Sequence, residues 1–359
     1  MPSHHQSAFF QAIRTRGIDL VVHYYGDVSS KRRRGGWLPV GKLPKGERLV
    51  PASTKALTLC PDWESRIHII PGYGSRFLIM LVFTLSFHKI NWMHWSEPAR
   101  PGWKWFLSYP IKRCYASMVN HRSHGALAIG EMARRDFLKW GVKRKYIYFL
   151  PYSLEGVSET GPTDPPLTEF SKQFSIVFIF VGVLNRRKGV DCLLLAFKNL
   201  ISQNSSAGLA LVGLDDSNGE YKKLAKLLHI DKQVFFRGVI PAKDIGKVLA
   251  CAQVLVLPSR FDGWGMVINE AASAGKAIIA TNTCGAAHHL IKCGENGFRI
   301  KPDNVTELAD RMTLYVKQPV LAEIHGKTSR ELFSAFSPEM NAVRLLKILS
   351  KCSNGQYPT

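Results

Sequence analysis

The chain has 359 residues, room for about two domains, and 46% hydrophobic with 21% charged residues describes a globular protein, not a disordered one. Seven cysteines are scattered without a C-x-x-C pair, which argues against a zinc site or a disulfide framework and for a reducing, cytoplasmic setting. The formal charge of +21 is uneven: residues 1–153 hold 24 Lys and Arg against 8 Asp and Glu, a balance of +16, and the remainder holds 24 against 19.

The N-terminus (MPSHHQSAFF) lacks the basic-then-apolar pattern of a signal peptide. The polar run Ser3-His4-His5-Gln6 is of the kind that follows a first strand, yet only Met1 and Pro2 precede it. Either that strand is absent or the true start lies upstream. A helix is expected over 7–15, a strand over 18–25 (IDLVVHYY) and a short strand over 67–70. The strongest apolar run, 77–87 (FLIMLVFTLSF), falls well short of the roughly 18–20 residues that span a bilayer and reads as a core helix. A strand over 90–95 closes on the polar cluster His94-Trp95-Ser96-Glu97. Helices follow over 109–123 and 132–140, the second stopped by Gly141, with strands over 125–129 and 147–150. Strands alternating with helices imply parallel sheets of βαβ units.

Residues 154–172 turn to Pro, Thr, Gly and acids and read as a linker. They separate a first domain, 1–153, from a second, 173–337; residues 338–359 form a C-terminal helix and tail expected to pack back on the first. In the second domain strands fall at 175–181 (SIVFIFV), 209–212, 234–236, 254–257, 277–280 and 297–300, with helices at 190–201, 221–228 and 242–250. The alternation describes a doubly wound α/β sheet, whose ligands sit beyond the carboxyl ends of its strands.

Residues 255–275 (LVLPSRFDGWGMVINEAASAG) carry the most information. Asp262 lies in a Gly-punctuated turn, Asp262-Gly263-Trp264-Gly265, where the glycines let the backbone approach a bulky ligand. A helix starting near Met266 and Val267 points its N–H groups and dipole into that turn, which favours phosphate. Glu270 lies about a turn further in and can accept hydrogen bonds from vicinal hydroxyls. Phosphate and hydroxyl recognition side by side suits a nucleotide-sugar. The second constellation is 180–191 (FVGVLNRRKGVD): a buried strand ends in Gly182, and its loop carries Arg186, Arg187 and Lys188 before Gly189. A cation there neutralises charge growing on a departing diphosphate. After a further strand, the backbone of 236–241 (FRGVIP), including Val239 and Ile240, can bracket a nucleotide base. Glu295-Asn296-Gly297 reads as a structural turn, and Asp215-Asp216 as a loop rather than a metal motif.

Basic clusters at 31–34 (KRRR), Lys112-Arg113, Arg134-Arg135 and 143–145 (KRK) interleave with Trp92, Trp95, Trp103, Trp105 and Phe106. Such a surface attracts phosphate-bearing partners, and Trp with Arg suits a membrane interface. No standard nucleic-acid motif is present, and no nucleic-acid partner is expected.

The segment PSR-F-D-GWG-MVIN-E-AASAG resembles the signature of the retaining GT-B glycosyltransferases of family 4 (group 1), two acids separated by seven residues, with Asp262 where the family has Glu. FVGVLNRRKGVD is similar to the family's FVGRLxPxKGxD, with Lys188 on its Lys and Val183 on its Arg. The resemblance implies two Rossmann-like doubly wound domains facing a central cleft. It implies a retaining transfer of a hexose-type sugar from an NDP-sugar, UDP- or GDP-linked, to an acceptor hydroxyl without a metal. In that reading Lys188, with Arg187, stabilises the leaving diphosphate; Asp262 positions the sugar hydroxyls; Glu270 holds the ribose. His94, Glu97, His4 and His5 are the acceptor-side candidates, His94 with a catalytic role. The acceptor is expected to be a lipid-linked saccharide of envelope polysaccharide synthesis, used by an enzyme peripheral on the inner face of an anionic cytoplasmic membrane. A GT-B-fold NDP-sugar 2-epimerase, or a non-catalytic basic module binding nucleic acid or membrane, are the alternatives.

Overall fold

The structure, a computed structural model, describes residues 4–36, 43–72, 74–102, 108–157, 163–202 and 206–353. Trp103, Trp105 and Phe106, and Ser3 with the two residues before it, lie outside them. The chain divides into two compact units: 1–27, 40–153 and 338–359 form the first, and 28–39 with 154–337 the second.

In chain order the first half runs α1 (His4–Arg14), β1 (Val22–Tyr24), α2 (Ser30–Arg34), β2 (Glu47–Leu49), β3 (His68–Pro71), α3 (Arg76–Phe87), β4 (Trp92–Ser96), α4 (Tyr109–Arg122), β5 (Ala126–Ala128), α5 (Gly130–Trp140) and β6 (Ile147–Phe149). The first unit's strands pair in two parallel pieces, β1-β2 and β3-β4-β5-β6. Its core gathers Leu81, Val82 and Leu85 of α3 around Trp92, Tyr115, Phe137 and Trp140. The run 77–87 is therefore a helix whose inner side is core, started by Ser75, whose hydroxyl accepts from the Leu78 N–H. The expected polar loop at residues 3–6 is instead helical from His4.

The second unit continues with α6 (Pro165–Ser171), β7 (Ile176–Val181), α7 (Val190–Ile201), β8 (Ala207–Val212), α8 (Glu220–Leu227), β9 (Val234–Gly238), α9 (Ile245–Leu249), β10 (Val254–Leu257), α10 (Met266–Ser273), β11 (Ala277–Thr281), α11 (Ala287–Leu290), β12 (Gly297–Ile300), α12 (Val305–Lys317) and α13 (Pro319–Phe333); α14 (Pro338–Ser353) follows, in the first unit. Its six strands form one parallel sheet in the order β12-β11-β10-β7-β8-β9. β7, β8, β10 and β11 are buried along their whole length, which is why they read as unbroken Val, Ile, Leu and Ala rather than as alternating strands. The end of the expected linker folds as α6, because Asp164 caps it at the Leu167 N–H and Leu167 and Phe170 find apolar burial. Chain order reverses between β7 and β10: β8 and β9 lie to one side, β11 and β12 to the other. That is the switch point at which such sheets open a crevice.

Asn296 shows how the sheet's rim is held. Its amide donates to the Leu290 carbonyl at 2.8 Å and the Ser329 hydroxyl at 3.1 Å, and its oxygen accepts from the Lys292 N–H at 2.7 Å, all in a buried setting. Replacing it leaves buried partners unpaired, at about 2–4 kcal/mol. Asn296→Ala should lower the melting temperature by roughly 5–10 °C while nucleotide affinity per folded molecule stays unchanged, as calorimetric titration of the folded fraction would measure.

Candidate functional site

The loop after β7 is shaped before it meets any ligand. Leu184 is buried and bridges Asp215 across the sheet end. The Asn185 side chain accepts from the Lys188 N–H at 3.1 Å and caps a single 3-10 turn, Arg186–Lys188, that aims Lys188 inward. Gly189 then turns left-handed at φ 71° and starts α7. A β-carbon there would lie 2.1 Å from the Pro258 carbonyl oxygen, so only glycine lets this loop lie against the one after β10.

That second loop is the Asp262 turn. Asp262 pairs with the strand end after β11: its N–H donates to the Thr283 carbonyl at 3.0 Å, and its carbonyl accepts from the Gly285 N–H at 3.1 Å. Gly265, at φ 85°, is the N-cap of α10. Ile268 already donates back to the Gly265 carbonyl, so the N–H groups of Met266 and Val267 are the helix-start donors that lack a carbonyl one turn earlier.

The two loops meet at Lys188 and Asp262, whose ammonium and carboxylate form a direct, mostly buried ion pair. Around this contact the loops are stitched together. The Arg260 N–H donates to the Arg187 carbonyl at 2.8 Å, and the Arg187 guanidinium donates to the Phe261 carbonyl at 2.9 Å. The Arg260 guanidinium grips both oxygens of Asp191 at 2.8 Å, reaches Asp303 at 2.6 Å and donates to the Arg186 carbonyl. Hydrogen bonds to these carboxylates raise the Arg260 pKa, and although burial pushes the Asp191 carboxyl up, its hydrogen bond and charge pairing with Arg260 leave it lowered on balance. Arg260 was not among the residues singled out from sequence. Its signal was the Arg of PSRFD, which reads as signature context until its acids, Asp191 and Asp303, are seen to come from 69 and 43 positions away in the chain. Arg187, expected to help with the diphosphate, is committed to the Phe261 carbonyl and holds the loop; Arg186 points its side chain to solvent.

Glu270 is buried in α10, and burial pushes its pKa up to about 8. Among the described residues its carboxyl has no hydrogen bond or ion pair. Buried acids are normally satisfied, so an unsatisfied one marks a place where a hydroxyl-bearing ligand would be welcome. The Trp264 side chain is buried, donating from Nε1 to Asn269 Oδ1 at 2.8 Å and stacking on His289 at 5.7 Å between ring centres. The apolar bulk of an indole is better accommodated as a wedge under the turn, leaving the backbone of Gly263, Trp264 and Gly265 to line it. Gly182 closes β7 beside the Lys188 stem, 3.8 Å from where its β-carbon would be. Val239 and Ile240 follow β9, Val239 half-exposed and Ile240 buried. The Gly36 backbone lies on the Ile240 carbonyl, so the basic turn of α2 belongs to this unit, next to the expected base-binding loop. Sequence order alone assigned α2 to the other half.

In the first unit His94 departs from the expected strand end: it sits inside β4, fully buried, with Nε2 2.9 Å from the Ser96 hydroxyl and Nδ1 2.9 Å from the Tyr115 hydroxyl. Burial lowers its pKa to about 3, so it is a neutral core residue, packed at 5.3 Å against the rings of Tyr115 and Phe137. Glu97, just beyond the strand, is exposed. His4 and His5 lie in the first turn of α1 rather than on a loop, and His5 is half-buried. Asp215 is occupied by the Ser217 N–H at 2.9 Å and the Ser217 hydroxyl, as a loop residue should be.

Residues 169–332 match the family model described as Glycosyl transferases group 1. An uncharacterized glycosyltransferase of Haemophilus influenzae is 29% identical over 157 residues, 44% of each chain. The N-acetyl-alpha-D-glucosaminyl L-malate synthase of Bacillus anthracis is 26% identical over 170 residues, 46% of this chain and 44% of its own. The matched stretch thus spans less than half of either relative. The crystal structure of Anabaena HepE in complex with UDP and glucose superposes with a TM-score of 0.73 at 16% identity, over 98% of this chain and 96% of HepE. The fold is that of the GT-B glycosyltransferases, and the similarity to the group 1 glycosyltransferase model covers residues 169–332, a little under half of the chain.

Two outcomes follow. Because the folded Glu270 holds its proton to about pH 8 and the unfolded one releases it near the ordinary 4.5, folding binds a proton between those values. The stabilising contribution of the neutral form is complete below about pH 4.5 and is lost as pH rises through 8, by up to roughly 1 kcal/mol per pH unit. Glu270→Gln should flatten the fall of melting temperature between pH 5 and 8, and a slope equal to that of wild type would contradict the assignment. Arg260→Ala should cost about 1–3 kcal/mol of stability and, in nucleotide titrations on the folded fraction, weaken diphosphate binding more than nucleoside binding, because it releases the turn that presents Lys188.

Proposed function

We propose that the protein is a retaining glycosyltransferase that moves a hexose-type sugar from a nucleoside-diphosphate sugar to an acceptor hydroxyl. One observation carries this reading. At the switch point of the second sheet, the loops after β7 and β10 bring Lys188 and Asp262 into contact beside the start of α10. Cation, carboxylate and helix N-terminus at one crevice are what a sugar diphosphate requires. The group 1 match, and a neighbour of like fold crystallised with UDP and glucose, support the donor class.

In this mechanism the donor diphosphate displaces Asp262 from Lys188. The ammonium then faces the diphosphate, neutralising the charge that grows as the glycosidic bond breaks. The Met266 and Val267 N–H groups add their dipoles. Asp262, freed from the cation, accepts hydrogen bonds from the sugar hydroxyls, and Glu270 accepts from the ribose. The ion pair keeps both groups oriented before the donor arrives, so little reorganisation accompanies its binding. The acceptor hydroxyl attacks from the face the leaving group vacates, which retains the anomeric configuration; no side chain is assigned as a nucleophile. Val239 and Ile240 bracket the base. His94, satisfied inside β4, holds the first unit's core and takes no chemical step. The acceptor in this reading is a lipid-linked saccharide at an anionic membrane, supported by the first unit's basic and aromatic composition.

UDP, and failing it GDP, should raise the melting temperature, by mass action on a folded-state site. Lys188→Ala should reduce turnover by about two to three orders of magnitude and weaken binding of the diphosphate but not of uridine. Glu270→Ala should weaken both. Turnover like wild type in either variant, or free sugar released from the donor without an acceptor, would refute the assignment.

A further inference from the structure

α3 is apolar on both sides, yet only one side is covered. Leu81, Val82 and Leu85 are buried in the first unit's core, but Met80, Phe83 and Phe87 are 60, 56 and 83% exposed. Their spacing of three and four residues sets them in one row along the helix. Leu59, 45% exposed, ends the 3-10 turn Thr54–Leu59 that packs against α3 and extends the row sideways. Scattered surface hydrophobics are ordinary; two phenylalanines and a methionine in file on one helix indicate a surface that something covers.

The residues around this row are cationic. Arg76 opens the helix, Lys89 follows its end, Lys55 lies on the 3-10 turn, and all three are exposed. No acidic residue occurs anywhere between Glu64 and Glu97. The helix has 12 residues, about 18 Å, and no helix among the described residues is long and apolar enough to cross a membrane. An apolar row framed by cations on a helix too short to span fits a helix lying in the plane of a lipid interface, rings among the acyl chains and cations among the phosphates. A second copy of the chain is a poor occupant. It would bring one strongly basic unit against another, each with 23 Lys and Arg against 9 Asp and Glu over residues 1–27, 40–153 and 338–359.

We propose that the outer face of α3, with Met80, Phe83 and Phe87 as the inserting side chains and Lys55, Arg76 and Lys89 as the phosphate-facing frame, docks the protein on an anionic phospholipid bilayer. The proposal deepens the reading above, on which it rests for the lipid-linked acceptor, by naming the surface that brings the first unit to it.

The test is co-sedimentation of the full chain with vesicles of phosphatidylcholine alone and of phosphatidylcholine mixed with phosphatidylglycerol. Wild type should bind the anionic vesicles, weakly at high salt, and bind pure phosphatidylcholine poorly. The double variant Phe83→Ser/Phe87→Ser should lose at least about tenfold in vesicle affinity, and Lys55→Glu/Arg76→Glu/Lys89→Glu should lose the preference for phosphatidylglycerol. The UDP-induced melting shift, which reports the second unit, serves as a control for folding and a separate check on the donor site. If that shift persists while wild type ignores both vesicles, or while the phenylalanine variant binds like wild type, the docking face is refuted and the donor reading stands; vesicle binding without a nucleotide shift has the reverse meaning. A wild-type dimer that light scattering shows to be lost in the phenylalanine variant would assign the face to a second copy and overturn the proposal.

Discussion

The contact between Lys188 and Asp262 is the constraint around which the second unit is arranged. A lysine and an aspartate 74 positions apart meet because β7 and β10 are neighbours in the sheet and both loops leave the same edge. Such a pair, mostly removed from water, persists only when its geometry is set by something else, because desolvation offsets much of the attraction. Here the Asn185 cap, the Gly189 turn against Pro258 and the Arg260 clamp provide it. The chemistry therefore falls to a few side chains, and many more hold them in place.

The same economy explains the buried groups nearby. Burial disfavours the charge on Glu270 and pushes its pKa up to about 8. On the proposed reading, a donor that supplies hydroxyl groups offsets that penalty and draws the carboxylate into its ionised form, which couples donor binding to proton release. The Trp264 indole N–H donates to the Asn269 oxygen beneath the turn and ties the side chain of the turn to the first turns of α10. A turn that must present backbone amides to phosphate gains from having its only large side chain buried.

The first unit is organised differently. Its polar core residue His94 is satisfied internally, and its chemistry-bearing features lie outside, in cationic residues and in the uncovered row on α3. An apolar run such as FLIMLVFTLSF identifies a helix with no solvent-preferring side, and both of its sides have a meaning: one builds the core with Trp92, Tyr115 and Phe137, the other remains available.

Much of the fold was legible from the chain alone. Unbroken Val-Ile-Leu runs identify strands buried on both faces, and their alternation with helices implies the doubly wound α/β class, because only right-handed parallel crossovers build from that pattern. The glycines and acids of DGWG…E and the Lys of NRRKG were readable because these loops need particular residue types at fixed offsets from a strand end. The helix at His4 was not, since a polar run without glycine is compatible with a loop or a first helical turn until packing chooses. Nor was the placement of α2 in the second unit, which depends on the Gly36 backbone meeting Ile240 some two hundred positions along. Local sequence determined which segments are strands, turns and caps, since those follow from neighbours in the chain. Only the tertiary structure decided that Trp264 and His94 are interior, that Arg187 and Arg260 serve the loops, and that Lys188 meets Asp262, because burial and pairing are set by residues that sequence spacing does not connect.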